Sequence, residues 1–307
     1  MEYFGGNIFT IGITLLFLIV GFCGCINEPS TEPTIFEDQD LINEKMEFDV
    51  HEWGVFLKGN NCTDAMVVSK APEWVGVRKP VIYFHSLENA TEVEVEIKSI
   101  TNMTVIPNAT IENDTIIWNV TVEDNSILLQ NGSEYPYLFY EGEINCSSAI
   151  IANINHSDGM TNYYIKNIAN YTISNVFFIY ASYGGFVSIQ DNWLEVVYFG
   201  ELSSGDEKIV TNSSSERLMN ITKVKNFILE ALISEGLTES ESNELIDYWE
   251  TFWFSPSNAG IHTRVIYQIP QLIYDRLLPI SITPQPENIK RVGIFTITDL
   301  PIEFSCN

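Results

Sequence analysis

The chain has 307 residues, 45% of them apolar and 12% aromatic, enough for one large β domain or two ordinary ones and too apolar for global disorder. It carries 41 acidic residues against 15 basic ones, a formal net charge of −26. Such a surface repels phosphate backbones and anionic headgroups, which excludes nucleic acid as a partner and favours cations and basic surfaces.

Residues 8–26, IFTIGITLLFLIVGFCGCI, contain no charge. Their nineteen apolar or small residues come close to the ~20 that span a bilayer. The run closes on Cys23-Gly24-Cys25, and polar residues follow at once. An apolar segment ending in a small residue and then Cys resembles a lipoprotein signal. Cleavage after Gly24 would make Cys25 the lipid-bearing first residue, with Cys23 as a second candidate. The pattern departs upstream, where Glu2 stands without any Lys or Arg. An uncleaved anchor helix and a plainly cleaved signal are the other readings. All three put the rest of the chain beyond the membrane, at the outer face of the cytoplasmic membrane, with the membrane itself as a partner through lipid or helix. Residues 26–47 follow as a tether. Glu28, Glu32, Glu37, Asp38, Asp40, Glu44 and Glu47 face a single Lys45, so the segment repels itself and extends.

Residues 48–212 read as strands. In Glu92–Lys98, Val93, Val95 and Ile97 alternate with charged residues. In Ile116–Val122, Trp118, Val120 and Val122 alternate with Asn119 and Thr121. Period two with one wet face is what an antiparallel sheet requires. Residues 101–105 repeat the arrangement with Asn102 outward. Further strands are expected at 80–85, 136–140, 162–168, 174–182 and 193–199. The run at 176–180 is apolar on both faces and suits a central strand. Many short strands between Gly, Asn and Ser turns predict a mainly β fold, an antiparallel β-sandwich.

The same region is dense in Asn-x-Ser/Thr sequons: Asn61, Asn89, Asn102, Asn108, Asn113, Asn119, Asn131, Asn145, Asn155, Asn170, Asn212 and Asn220. They use twelve of 27 asparagines, where random placement of the 45 Ser and Thr predicts about four. The excess points to an N-glycosylated, exported protein. Low-complexity Asn, Ser and Thr usage is the plainer reading. No sequon lies in residues 223–307, so glycans would coat only part of the molecule. With Cys25 lipidated and Cys23 removed, Cys62, Cys146 and Cys306 remain. An odd number implies one disulfide and a free thiol, or a bridge between chains. No Cys/His spacing suggests structural zinc.

Residues 213–307 change character. Ser213-Ser214-Ser215-Glu216 and Thr238-Glu239-Ser240-Glu241 both have capping-box spacing. Leu218, Ile221, Val224, Ile228 and Leu232 recur at helical intervals behind the first; Leu245, Trp249 and Phe252 do so behind the second. A helix pair is expected, then a strand at 262–268, a short helix at 270–277 and a strand at 291–298. These form either a small α/β module of their own or a continuation of the same sheet with helices across one face.

Four landmarks carry a family resemblance: His51-Glu52-Trp53-Gly54-Val55-Phe56; Lys79-Pro80-Val81-Ile82-Tyr83-Phe84; Trp249-Glu250-Thr251-Phe252; and Arg264-Val265-Ile266-Tyr267-Gln268-Ile269-Pro270 with Leu277-Leu278-Pro279. In this order they resemble a family of exported, uncharacterised proteins whose N-terminal hallmark is a His-Glu-Trp-Gly-Thr-Phe stretch. Val55 replaces the Thr of that hallmark, and Arg78-Lys79 stand where acidic and small residues are usual. The resemblance implies an exported architecture and brings no catalytic residues.

His51 and Glu52 are adjacent, so on a strand they point to opposite faces and do not easily share one ion. Val50, Glu52 and Gly54 share one face; His51, Trp53 and Val55 share the other. Position 55 is Val, which removes the paired-His metalloprotease pattern. A packing role for the stretch is the simpler expectation. His85 and His262 join His51 as candidate ligands of a divalent cation if the fold brings them together; otherwise each is an ordinary strand-end residue. Asp124-Asn125, Asp158-Gly159 and Asp191-Asn192 offer loop oxygens of the kind calcium takes, although turns explain them equally well. Tyr163, Tyr164, Tyr180 and Tyr183 suit either sugar stacking or core packing. No nucleophile elbow, phosphate loop or dinucleotide fingerprint occurs.

The expected protein is thus a cell-surface lipoprotein with an archaeal-type acidic, sequon-rich exterior. It comprises an anchor (1–25), a tether (26–47), a β-sandwich domain (48–212) and a C-terminal helical segment (213–307). It binds or scaffolds at the envelope, with a glycan or a surface protein as partner and no cofactor beyond a possible divalent cation. The alternatives are a metal-dependent exported enzyme using His51 and Glu52, and a transporter-associated solute-binding lipoprotein, whose two-lobed α/β pattern is missing.

Overall fold

The computed structural model describes residues 47–59, 73–87, 89–129, 131–157, 160–182, 194–211, 221–254, 261–298, 300 and 302–304. Residues Asn43–Asn307 make one compact unit. In chain order it starts with strands β1 (Asp49–Gly59), β2 (Glu73–His85), β3 (Thr91–Lys98), β4 (Thr101–Ile106), β5 (Thr110–Glu112) and β6 (Thr115–Glu123). Next are β7 (Ser126–Leu128), β8 (Glu134–Tyr135), β9 (Leu138–Cys146), β10 (Ile150–Ser157), β11 (Met160–Asn167), β12 (Ile173–Ser182), β13 (Leu194–Leu202) and β14 (Glu207–Thr211). Helices α1 (Ile221–Ser234) and α2 (Glu239–Phe254) precede β15 (Ile261–Ile269), α3 (Gln271–Leu277), β16 (Ile280–Thr283), β17 (Asn288–Thr298) and β18 (Ile302–Phe304).

The fold is mainly β. An eight-stranded sheet runs β13-β12-β15-β17-β1-β2-β9-β4. Every neighbouring pair in it is antiparallel except β1 and β17. A second sheet runs β16-β3-β6-β7-β8 with β5 on β6, and a third runs β14-β11-β10-β18. The expected alternation is realised: Val93, Val95 and Ile97 in β3 and Trp118, Val120 and Val122 in β6 are buried, while Asn119 is exposed.

Two cores explain the strands whose apolar residues do not alternate. One face of the large sheet packs against the two smaller sheets, burying Phe56, Phe84, Phe178 and Tyr267 with Val95, Trp118, Ile154 and Ile165. The opposite face packs under α1 and α2, burying Trp53, Val81, Phe177 and Ile179 with Val224, Ile228, Leu245 and Trp253. A strand covered by helices on one side and sheets on the other must be apolar on both. Hence Val176–Ile179 of β12 are all buried.

The C-terminal segment is not a separate module. β15 and β17 lie in the middle of the large sheet, between β12 and β1, so residues 48–212 and 213–307 share one sheet and the boundary near 213 divides no structure. The parallel β1–β17 ladder that closes it pairs residues more than 200 positions apart, and no local pattern reports such a pairing. The capping box at Ser213 lies outside the described residues. The one at Thr238 is formed: the Thr238 amide donates to Glu241 Oε2 at 2.7 Å, and the Glu241 amide donates to Thr238 Oγ1 at 3.2 Å. On α2, Leu245 and Trp249 are buried as expected, but Trp253 and Phe254 fill the core and Phe252 is only partly buried. Trp253 donates its indole N–H to Thr296 Oγ1 of β17 at 3.1 Å, which ties the helix end to the sheet.

Candidate functional site

The His51–Phe56 stretch splits across the large sheet as alternation requires. His51 pairs with Tyr83 and Trp53 with Val81 across the antiparallel β1–β2 ladder. These side chains, with His85 two residues beyond Tyr83, face the helix layer, while Val50, Phe56 and Phe84 face the sheet layer.

On the helix side, β1 contributes His51, the end of β2 contributes His85, and the first turn of α2 contributes Glu241. His51 Nδ1 lies 3.0 Å from Glu241 Oε2, and His85 Nε2 lies 2.8 Å from Glu241 Oε1. The two imidazole rings are 4.2 Å apart, centroid to centroid. One nitrogen of each ring and one carboxylate oxygen fall within 4.8 Å of one another. Glu241 is 4% exposed, against 13% for the His51 side chain and 30% for His85. The carboxylate is therefore the floor of the cluster, and the imidazoles form its rim. Burial pushes the Glu241 carboxyl up, but hydrogen bonds from His51, His85 and the Thr238 amide, with the charge on His51, hold it well below the usual carboxylate range.

A second polar group adjoins the first along α2. Tyr83 donates its hydroxyl to Glu244 Oε2 at 2.8 Å. Burial, then the hydrogen bond and charge of Glu244, push this phenol far above the ordinary tyrosine range. Lys79 Nζ sits 3.7 Å from Glu244 Oε1 and 3.9 Å from the centroid of the half-exposed Tyr248 ring. Tyr137 meets Tyr83 edge-on at 5.4 Å. The seam between β2 and α2 thus runs imidazoles and carboxylate, phenol and carboxylate, ammonium and aromatic ring.

Glu52 belongs to a different place. It is fully buried on the sheet-layer face. Its β17 neighbour Arg291 donates from Nε to Oε2 at 2.7 Å and from Nη2 to Oε1 at 3.3 Å. Tyr140 and Tyr274 donate their hydroxyls to Oε1 at 2.5 and 2.7 Å. Arg291 Nη1 also reaches the Leu278 carbonyl at 2.7 Å and Asp275 Oδ1 at 2.9 Å. Burial opposes the Arg291 charge, yet Glu52 beside it keeps the guanidinium firmly protonated. Burial and the Glu52 charge push the Tyr140 and Tyr274 phenols well up. Gly54 makes room for this network: a Cβ there would stand 2.6 Å from the Tyr274 hydroxyl oxygen and 3.2 Å from Pro80 Cγ. An enzyme using His51 and Glu52 together is not what this geometry forms, since the two carry their groups to opposite faces and Glu52 is sealed by Arg291.

His262 is also separate from His51. β1 pairs His51 with Lys290, and β15 pairs Arg264 with Thr298. His262 thus lies about ten strand positions, roughly 30 Å, toward the opposite end of the sheet. The partner absent from the sequence-based set is Glu241. Its capping box was visible, but nothing local connects it to histidines 190 and 156 positions earlier.

Nine of the sequons fall on described residues. Asn89, Asn102, Asn108, Asn113, Asn119, Asn131, Asn145 and Asn170 are exposed, and Asn155 is half-buried. Asn61, Asn212 and Asn220 lie outside the described residues, as do Cys25, Cys62 and Cys306. Cys146 is a buried free thiol that burial pushes up to about 12. Of the calcium candidates, Asp124-Asn125 forms a turn whose Asn125 Oδ1 accepts the Leu87 amide at 3.0 Å; Asp158-Gly159 and Asp191-Asn192 lie outside the described residues. Tyr163 is buried edge-on to Phe178 and Tyr180 is partly buried against the same core, while Tyr183 lies outside the described residues.

No family model and no curated protein matches the chain. Among solved structures it is similar to the yeast delta-COP-I mu-homology domain complexed with a Dsl1 WxWxV peptide, at 7% identity over 85% of this chain and 99% of that one, TM-score 0.35. It is also similar to the Danio rerio Fcho1 mu homology domain with bound Eps15 peptide, at 8% identity over 86% and 99%, TM-score 0.38. At these scores the likeness carries no function to this chain.

Proposed function

We propose that the protein is an exported lipoprotein of the cell envelope that works by binding. In this reading a lipid on Cys25 holds it at the outer face of the membrane, the acidic segment 26–47 spaces it off, and the unit Asn43–Asn307 engages a glycan or a surface protein. The observation that carries the reading is the placement of the sequons. Eight of the nine described ones present their asparagine on the surface, five of them on or beside the edge strand β4 and the second sheet at 102–131. Residues 223–307, which supply α2 and most of α1, contain none. The residues of α1 and α2 themselves bear no sequon asparagine, and the His51–His85–Glu241 cluster lies beside α2 with Lys79 and Tyr248 next to it.

The test is fractionation of the native host with mass spectrometry of the recovered protein. The reading expects a membrane fraction, a mature N-terminus at Cys25 carrying lipid, hexose-bearing peptides at the exposed sequons, and release into the medium on Cys25→Ser. A soluble cytoplasmic protein with an intact, unmodified N-terminus would overturn it.

A further inference from the structure

We propose that His51, His85 and Glu241 form a binding site for one divalent transition-metal ion, with Zn²⁺ the best-matched species. The inference stands apart from the export reading, since it rests on the geometry of the folded unit alone.

The first support is convergence. The chain has four histidines, and two of them, from adjacent strands, are brought to 4.2 Å ring to ring beside one carboxylate. A tetrahedral Zn²⁺ bound at about 2.1 Å to each ligand needs donor atoms about 3.4 Å apart. His51 and His85 lie 3.0 Å and 2.8 Å from the two different oxygens of Glu241, and one oxygen with one nitrogen of each ring falls inside 4.8 Å. Small side-chain rotations therefore reach the coordination geometry without backbone movement. The second support is rigidity. His51 and His85 sit on paired strands, and Glu241 is clasped by the Thr238 capping box at the start of a 16-residue helix. Sites placed on such elements hold their geometry better than loop sites.

The donor set selects the ion. Two imidazoles and one carboxylate suit zinc and its first-row neighbours, whereas calcium and magnesium take oxygen ligands. The partly exposed His85 rim leaves a fourth position open to water, an arrangement with three protein ligands. The excess negative charge of the chain raises local cation concentration in general, so the test must separate one built site from diffuse surface binding.

The experiment uses the full-length protein in mild detergent. Zn²⁺ is titrated against a chromophoric chelator, and Co²⁺ is added in a parallel series read by visible absorption. The expected result is one Zn²⁺ per chain and Co²⁺ bands of low-coordinate geometry. His51→Ala/His85→Ala should abolish both, and His85→Gln alone should weaken Zn²⁺ more than the 10–100-fold that outer-shell partners are worth. His156→Ala/His262→Ala should leave both signals unchanged. Urea unfolding of each metal-free variant checks its fold; if the double variant fails to fold, His85→Gln, at the exposed rim, decides the case. The proposal is overturned if wild type shows no saturable one-to-one site, or if the folded His51/His85 variants bind Zn²⁺ as wild type does, which would mean adventitious binding to the acidic surface.

Discussion

Replacing Arg291 by Met should unfold a large part of the stability margin and do so through Glu52. Both side chains of the pair are wholly inaccessible, and the guanidinium donates two bonds to Glu52 and one to the Leu278 carbonyl. Methionine fills similar volume but supplies no charge. Removing one partner of a buried ion pair costs about 3–5 kcal/mol, because the remaining charge stays buried and uncompensated. The lost Leu278 bond adds about 1–3 kcal/mol where the carbonyl finds no new donor. Against a total of about 5–15 kcal/mol for a domain, about a quarter of the margin or more disappears. Asp275 should matter little, since its side chain is 39% exposed and can rehydrate. The control is Glu52→Gln/Arg291→Met. Exchanging both charged groups for neutral ones removes the uncompensated charge, and the Gln oxygen can still accept from Tyr140 and Tyr274. The double variant should therefore be more stable than Arg291→Met alone, retaining mainly the Leu278 cost. Urea unfolding at neutral pH, followed by tryptophan fluorescence, measures both. The reasoning is refuted if Arg291→Met lies within about 1 kcal/mol of wild type, or if the second substitution deepens the loss.

Gly54→Ala drives a methyl against the Tyr274 hydroxyl and Pro80, an overpacking cost of about 1–3 kcal/mol; Tyr274→Phe should offset part of it in a double-mutant cycle, and strict additivity would show that the hydroxyl is not the obstacle. Tyr140, Tyr267 and Tyr274 have phenols raised first by burial, so their contribution to stability is full below the unfolded tyrosine value of about 10 and is lost as pH rises through the folded values. An ultraviolet titration should show exposed tyrosines ionising first and the buried set only with the loss of native fluorescence; all fourteen titrating together near 10 in the folded protein would contradict this.

Period-two alternation was readable because β3 and β6 each have one wet face, and the Thr238 box because capping is local chemistry. The position of β15 and β17 in the sheet centre was not, since their pairing with β12 and β1 depends on contacts across most of the chain. The same divide runs through the site. Alternation alone places His51 and Glu52 on opposite faces, and the structure agrees. What each meets there lies far away in sequence: Glu241 for one and Arg291 for the other. His85 is legible only once the β1–β2 ladder is known, because Asp49 pairs with His85 and fixes its side. Helical spacing points to Phe252, but the end of α2 buries Trp253, whose indole N–H donates to Thr296.

The His-Glu-Trp-Gly string compresses three jobs into four consecutive residues because β1, like β12, is covered on both faces. Its sheet-layer face needs an anion, since buried Arg291 on the neighbouring parallel strand would otherwise have only the half-exposed Asp275 as counter-charge. Its helix face needs bulk, and Trp53 supplies it beneath α2. The network around Glu52 includes Tyr274 from α3, and that hydroxyl passes where only a residue without a Cβ can stand, which fixes Gly54. Three of the four positions are thereby accounted for by folding. His51 is not: it is 13% exposed, fills no core, and its ring nitrogen points to Glu241 beside His85. A packing requirement at position 51 would be met by any residue tolerating a strand end. Two imidazoles on one buried carboxylate satisfy its hydrogen bonds and are also the arrangement the proposed metal site needs, so His51 is the member of the string that the zinc titration tests.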